Sequence, residues 1–211
     1  MKQAAPIDWY FDFVSPFAYI ARHRLAELDT HRPIQPRPVL LAAILGHHGQ
    51  LGPAEIEPKR QWTYRMAHWQ ACDAGLPLRF PSAHPFNPLG WLRLAIAGGC
   101  RWQIIDTIFE RLWTTGADPA DERGLADTAR EYAIDQSALT AEQVKQTLRE
   151  QTESAIRAGV FGVPTLAIDG ELFWGADAIP FAAAYLDDPA ILDDPELRRL
   201  DTLPTGVVRA R

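Results

Sequence analysis

With 211 residues, 47% of them hydrophobic and 23% charged, the chain has the composition of a folded protein with a substantial core and not that of a disordered segment. A formal charge of -6 with no basic cluster argues against a nucleic-acid partner. No apolar run reaches the length of a membrane span and Asp8 interrupts any signal-peptide core, so a cytoplasmic location is expected.

In chain order, residues 7–14 set Trp9, Phe11 and Phe13 against Asp8, Tyr10 and Asp12, the alternation of a half-buried strand. Ser15-Pro16 then opens a helix, serine as cap and proline in the first turn, with Tyr19, Ile20, Leu25 and Leu28 on its apolar face. Residues 34–41 read as a second strand, pushed to an edge by Pro36 and Pro38. Residues 40–45 are short and apolar, and 46–53 read as a loop. A helix is expected over about 58–75, with Trp62, Met66 and Trp69 on one side. The proline-rich stretch 77–88 reads as extended.

Four more helices are expected over 89–98, 102–115, 121–132 and 140–159, the last opened by a Thr140/Gln143 capping box. Strands at 165–168 and 172–174 flank Asp169-Gly170, a strong hairpin signal. A final helix over 176–186 accepts Pro180 in its first turn, and the Asp- and Pro-rich tail from 187 is expected to pack loosely. A β-α-β start, a helical block and a β-β-α end describe an α/β thioredoxin-like fold with a large all-α insertion. Residues 1–41 and 160–211 would form the thioredoxin-like domain and 42–159 the insertion.

Cys72 and Cys100 form neither a C-x-x-C nor a zinc pattern, and read as small apolar residues in helical stretches. His47-His48 lacks further ligands at suitable spacing, so no metal is expected. Two local features stand out instead. Ser15 puts a hydroxyl at a helix N-terminus, where a thioredoxin-type oxidoreductase carries its reactive cysteine. Val163-Pro164, after Gly162 and before a strand, has the setting of a cis proline. Either alone is an ordinary cap or turn; together, around a helical block, they describe a site for a thiol that the chain does not own.

The segments Phe11-Asp12-Phe13-Val14-Ser15-Pro16-Phe17-Ala18-Tyr19, Pro58-Lys59-Arg60, Phe86-Asn87-Pro88-Leu89, Phe161-Gly162-Val163-Pro164-Thr165 and Phe173-Trp174-Gly175-Ala176-Asp177 resemble the glutathione-dependent 2-hydroxychromene-2-carboxylate isomerases. These are relatives of kappa-class glutathione transferases within the DsbA-like branch of thioredoxin folds. The resemblance spreads over most of the chain, and its first and last segments are the most specific.

The resemblance implies that Ser15 meets the sulfur of bound glutathione. A hydroxyl donor at the positive end of a helix favours thiolate over thiol, whose ordinary pKa is ~8.5. It further implies a backbone pairing of Val163, beside Pro164, with the cysteine of the tripeptide. Asp177 would hold the γ-glutamyl amine, the amides around Gly175 and Ala176 its carboxylate, and Lys59 the glycine end. Family members often carry a polar side chain at the Ala176 position, and an asparagine in the loop before Lys59, where this chain has His48 and Gln50. Asn87 resembles a family asparagine near the active site, whose amide would orient the Ser15 neighbourhood or the substrate, and Phe17, Trp62 and Trp174 are candidate walls for an aromatic substrate. Lys59, Arg60 and Arg93 are unranked candidates for a substrate carboxylate. The expected activity is isomerisation of an aromatic-derived carboxylate, with glutathione as cofactor and a homodimeric protein. A kappa-like transferase or peroxidase and a non-catalytic peptide-binding or chaperone module are the alternatives.

Overall fold

The computed structural model describes residues 5–28 and 30–207. Its sheet has the order β2-β1-β3-β4, from β1 (Ile7–Phe11), β2 (Ile34–Pro38), β3 (Thr165–Ile168) and β4 (Glu171–Trp174). β1 runs parallel to β2 across the crossover helix α1 (Pro16–Arg24), and antiparallel to β3, which turns back into β4. Between β2 and β3 lie α2 (Leu41–His47), α3 (Glu57–Asp73), α4 (Leu89–Ala97), α5 (Trp102–Thr114), α6 (Glu122–Glu131) and α7 (Glu142–Arg157). The expected α/β thioredoxin-like order with its helical insertion is therefore present, and β2, with its two prolines, is an edge strand. Among the described residues no helix is long and apolar enough to cross a membrane.

The core explains the sheet's position. Trp9 stacks on Phe11 at 4.4 Å and on Trp102 of α5 at 5.7 Å, while Phe109 packs against Phe13 at 4.7 Å. The apolar face of β1 thus continues into the helical block. Its other face is covered too: Tyr10 is buried in a second cluster with Val39, Ile44, Ala155, Val160 and Val163. The alternation of residues 7–14 predicts a strand with one polar face, but the structure buries Tyr10 and Asp12 because α2 and α7 close over that side.

Other boundaries differ from expectation for local reasons. β2 stops at Pro38; Leu40 N then donates to Thr152 Oγ1 (3.1 Å) and Leu41 N to Asp12 Oδ2 (2.9 Å), and these bonds turn residues 41–47 into a helix instead of a short apolar connector. The expected Thr140/Gln143 capping box is not made. Thr140 Oγ1 donates to Ser137 O, closing a 3-10 turn whose cap is Asp135, and α7 starts after Ala141 without a side-chain cap. On α3 the residues turned inward are Ala67 and Ala71, whereas Trp62 and Trp69 are exposed. The last core helix, α8 (Ile179–Asp187), follows a 3-10 turn over Ala176–Ala178. The described tail is only partly loose: Asp188-Pro189 and Asp194-Pro195 are cap-and-first-turn pairs for a 3-10 turn and for α9 (Pro195–Asp201), and Ile191 and Leu192 pack against the core, whereas α9 buries no residue and residues 202–207 are exposed, as expected.

Candidate active site

Strand register gathers the candidate residues at one end of the sheet. β1 and β3 pair Tyr10 with Thr165, so the next steps bring Phe11 and Asp12 opposite Pro164 and Val163. β3 and β4 pair Thr165 with Trp174, and one residue further Gly175 N donates to Pro164 O at 2.9 Å. The Ser15 turn, the Val163–Pro164 segment and residues 174–177 therefore share an edge.

Ser15 has extended backbone and is the N-cap of α1, its Oγ accepting from Ala18 N at 3.2 Å. That bond uses a lone pair and leaves the hydroxyl proton available to an acceptor held at the helix's positive end. Ser15 and Ala18 stand where a redox pair would stand. The two cysteines are free and lie elsewhere, Cys72 exposed on α3 and Cys100 just after α4.

The turn leading to Ser15 is held from several sides. Asp12 is fully buried; its carboxylate accepts from Val14 N (3.1 Å) and Leu41 N (2.9 Å), and Ser15 N donates to its carbonyl (3.1 Å). Burial pushes the Asp12 carboxyl up to about 7, against the backbone donors that favour its charged form. Trp113 Nε1 donates to Phe13 O at 3.0 Å. His84 Nε2 lies 2.8 Å from Val14 O, and its Nδ1 lies 2.8 Å from the Tyr64 hydroxyl. Burial first, then the nearby Arg60 charge, hold the His84 imidazole below its ordinary pKa.

The Val163–Pro164 peptide is cis, as expected. Val163 is buried, yet neither its N–H nor its carbonyl has a hydrogen-bond partner among the described residues. Thr165 Oγ1 closes the segment by donating to Gly162 O at 2.8 Å. Trp174, 54% exposed, lies over the backbone of Gly162, where a Cβ would come within 2.7 Å of its Nε1, and meets Phe161 edge-on at 5.1 Å.

In the next turn Gly175 has φ +103°, and the Asp177 carboxylate occupies the space a Cβ would need. The amides of Ala176 and Asp177 have no partner among the described residues. Ala176 is itself buried, and its carbonyl accepts from Arg24 Nη1 at 2.9 Å; Arg24 also makes a two-point pair with Glu27.

Other predicted residues stand apart. Lys59, in the first turn of α3, is exposed and without an ion pair among the described residues; Trp62, one turn on, is 63% exposed. Phe17 is half-buried against the core. Asn87 is exposed and its Oδ1 accepts from Leu89 N at 3.1 Å, the role of a turn residue before α4; no hydrogen bond joins it to the Ser15 turn. His48, one of the two residues in the region of the missing loop asparagine, is bonded to Val160 O at 3.2 Å. Sequence reasoning did not single out Arg24, Tyr64, His84 or Trp113, and gave Asp12 no role. Only the acidic residue in an aromatic strand carried a usable signal.

This sheet, with a serine-capped crossover helix and a cis proline before β3, defines a thioredoxin-like protein without redox cysteines at its characteristic turn. A family model described as DSBA-like thioredoxin domain matches residues 6–187. The 2-hydroxychromene-2-carboxylate isomerase of Sphingobium xenophagum is 31% identical over 192 residues, covering 86% of this chain and 98% of that protein. Glutathione S-transferase kappa 2 of Caenorhabditis elegans is 26% identical over 216 residues, 90% of this chain and 95% of its own. A solved 2-hydroxychromene-2-carboxylate isomerase structure superposes with a TM-score of 0.74 at 26% identity, over 90% of this chain and 98% of that one. The chain belongs to the DsbA-like thioredoxin-domain family and, within it, to the family of 2-hydroxychromene-2-carboxylate isomerases.

Proposed function

We propose that the protein is a glutathione-dependent isomerase that interconverts 2-hydroxychromene-2-carboxylate, or a similar aromatic-derived carboxylate, with its trans-o-hydroxybenzylidenepyruvate form. The reading is carried by Ser15: a buried hydroxyl that accepts from Ala18 N and whose proton has no partner among the described residues, at a helix N-terminus with no cysteine in the turn.

The surrounding groups fit the tripeptide. The unpaired backbone of Val163, beside Pro164, suits strand addition by a cysteinyl segment. The free amides of Ala176 and Asp177, after Gly175, suit the γ-glutamyl carboxylate, and the Asp177 carboxylate suits its amine. Trp174 offers an exposed indole beside them, and Lys59 an exposed cation for the glycine end. When bound, glutathione supplies a thiolate nucleophile and is released unchanged at the end of the isomerisation. The Ser15 hydroxyl and the α1 dipole keep that sulfur ionised.

Phe17, Trp62 and Asn87 are read as the substrate side of the site. Among the cations left unranked by sequence, Arg60 is favoured for the substrate carboxylate. Its Nε donates to Ala54 O at 2.7 Å, which anchors the guanidinium, and its terminal nitrogens have no partner among the described residues. Its charge also reaches Tyr64 and His84, the pair beside the Ser15 turn. Arg93 sits on α4, which packs on α5, α6 and α7.

The reading includes a cytoplasmic homodimer divided into a thioredoxin-like domain (1–41 and 160–211) and a helical insertion (42–159). Isothermal titration with glutathione, followed by an absorbance assay on 2-hydroxychromene-2-carboxylate with total free thiol monitored, tests the activity. Turnover at constant thiol is expected. The likeness to a kappa-class transferase makes steady thiol loss the second outcome, and it would replace isomerisation by transfer. Absence of glutathione binding alongside capture of unfolded peptides would favour a peptide-binding module.

A further inference from the structure

We infer that His84 is a positioning residue for Ser15, acting through the Val14 carbonyl; the inference builds on the thiolate-holding role proposed for Ser15. Val14 O belongs to the peptide unit that carries the Ser15 N–H, so whatever grips that oxygen orients the plane from which the Ser15 side chain departs. A carbonyl oxygen only accepts, so the His84 Nε2 at 2.8 Å bears the proton. On the other side of the ring, Nδ1 and the His84 carbonyl each lie 2.8 Å from the Tyr64 hydroxyl. The single hydroxyl proton of Tyr64 can serve only one of these two acceptors at a time, so Tyr64 holds either the ring or the residue's carbonyl while Nε2 holds Val14 O.

The ring is also boxed in. Tyr64 (5.2 Å), Phe80 (5.8 Å), Phe86 (6.1 Å) and Trp113 (5.5 Å) meet it edge-on or at steep angles. Trp113 in turn donates to Phe13 O. Two consecutive carbonyls of the turn, those of residues 13 and 14, are thus held by ring N–H donors that the helical block contributes. Burial first, and then the Arg60 charge, lower the imidazole's pKa against the opposing pull of the Val14 bond, which favours the neutral ring with its proton on Nε2. A ring so enclosed acts by geometry and not as a proton carrier. Freeing Val14 O would let the Ser15 peptide plane rotate, and a displacement of about 1 Å at a reacting group is worth on the order of a hundredfold in rate.

The test compares His84→Leu, which keeps bulk but has no donor, with His84→Gln, whose amide nitrogen reaches the position of Nε2. Two readouts are needed: amide hydrogen exchange at Ser15 and Ala18 in glutathione-free protein, and kcat with the glutathione Kd measured separately. His84→Leu is expected to speed exchange at both amides and to lower kcat by roughly ten- to a hundredfold. Its glutathione Kd should stay close to wild type, because Val163 and residues 175–177 are untouched. His84→Gln should restore both protection and most of kcat. Unchanged exchange and kcat in His84→Leu, or equal losses in both variants, would overturn the inference. If the wild type fails to bind glutathione, the proposed function falls, while the exchange comparison alone still decides whether His84 holds Ser15.

Discussion

Gly175 N–H donates to the Pro164 carbonyl at 2.9 Å, and this bond ties the cis-proline segment to the turn that leads into α8. Because Pro164 and Gly175 stand opposite each other one step past the Thr165–Trp174 pair, the unpaired Val163 backbone and the free amides of residues 176 and 177 are presented together. Arg24, at the C-terminal end of α1, secures the same turn by donating to Ala176 O. Replacing Gly175 by Ala is therefore expected to cost about 1–3 kcal/mol of stability, since φ +103° is strained for any L side chain and Asp177 must move. Urea denaturation measures the first effect, and calorimetry should show weaker glutathione binding.

Ser15→Ala separates capping from chemistry. Loss of the Oγ bond to Ala18 N is expected to cost about 0.5–2 kcal/mol, leaving the fold intact. Turnover should nearly vanish, and the thiol pKa of bound glutathione, followed by thiolate ultraviolet absorbance, should rise. An unchanged rate would remove Ser15 from the mechanism.

Asp12 is expected to make the protein's stability fall as pH rises toward neutrality. Its carboxyl titrates at about 7 in the fold against 3.8 in the ordinary range, so the folded state binds the extra proton between those values. Stability contributed by this group is accordingly greatest at low pH and declines as pH rises from about 4 to about 7, by on the order of 4 kcal/mol. Asp12→Asn should abolish that slope, and should be the less stable protein at the acid end, because Val14 N and Leu41 N bond to different carboxyl oxygens and the amide nitrogen replacing one of them sets a donor against a donor. Denaturation midpoints across the range check both statements.

Arg60 and Lys59, adjacent in sequence, are expected to serve different ligands. Arg60→Met should raise KM for the carboxylate substrate by roughly ten- to a hundredfold with kcat and glutathione affinity little changed, the loss of a charge-assisted hydrogen-bond pair. Lys59→Met should do the reverse and weaken glutathione, by less, since an exposed cation is screened by solvent. Identical kinetic signatures for the two variants would argue against this division.

Features that depend on neighbouring residues were legible in the sequence. A serine cap followed by Pro16, the Asp169-Gly170 hairpin, the edge character imposed on β2 by its prolines and the cis Val163–Pro164 peptide are each set by backbone chemistry within a few residues. Together they locate the strand-to-helix turn and the loop that faces it, which is the outline of the site. The helices from α3 to α7 followed from apolar spacing to within a few residues, although the cap of α7 and the inward face of α3 did not.

What holds Ser15 in place was decided only by the tertiary structure. His84 is 70 residues from Val14 and Trp113 is 100 residues from Phe13, and neither periodicity nor motif spacing relates them. The burial of Asp12 likewise depends on α2 and α7 closing over a strand whose alternation implies an open face. Local propensities act through bonded neighbours and one or two turns of chain. A buried polar group instead takes whichever partner the packed core brings within about 3 Å, and that choice is made by the assembled helices.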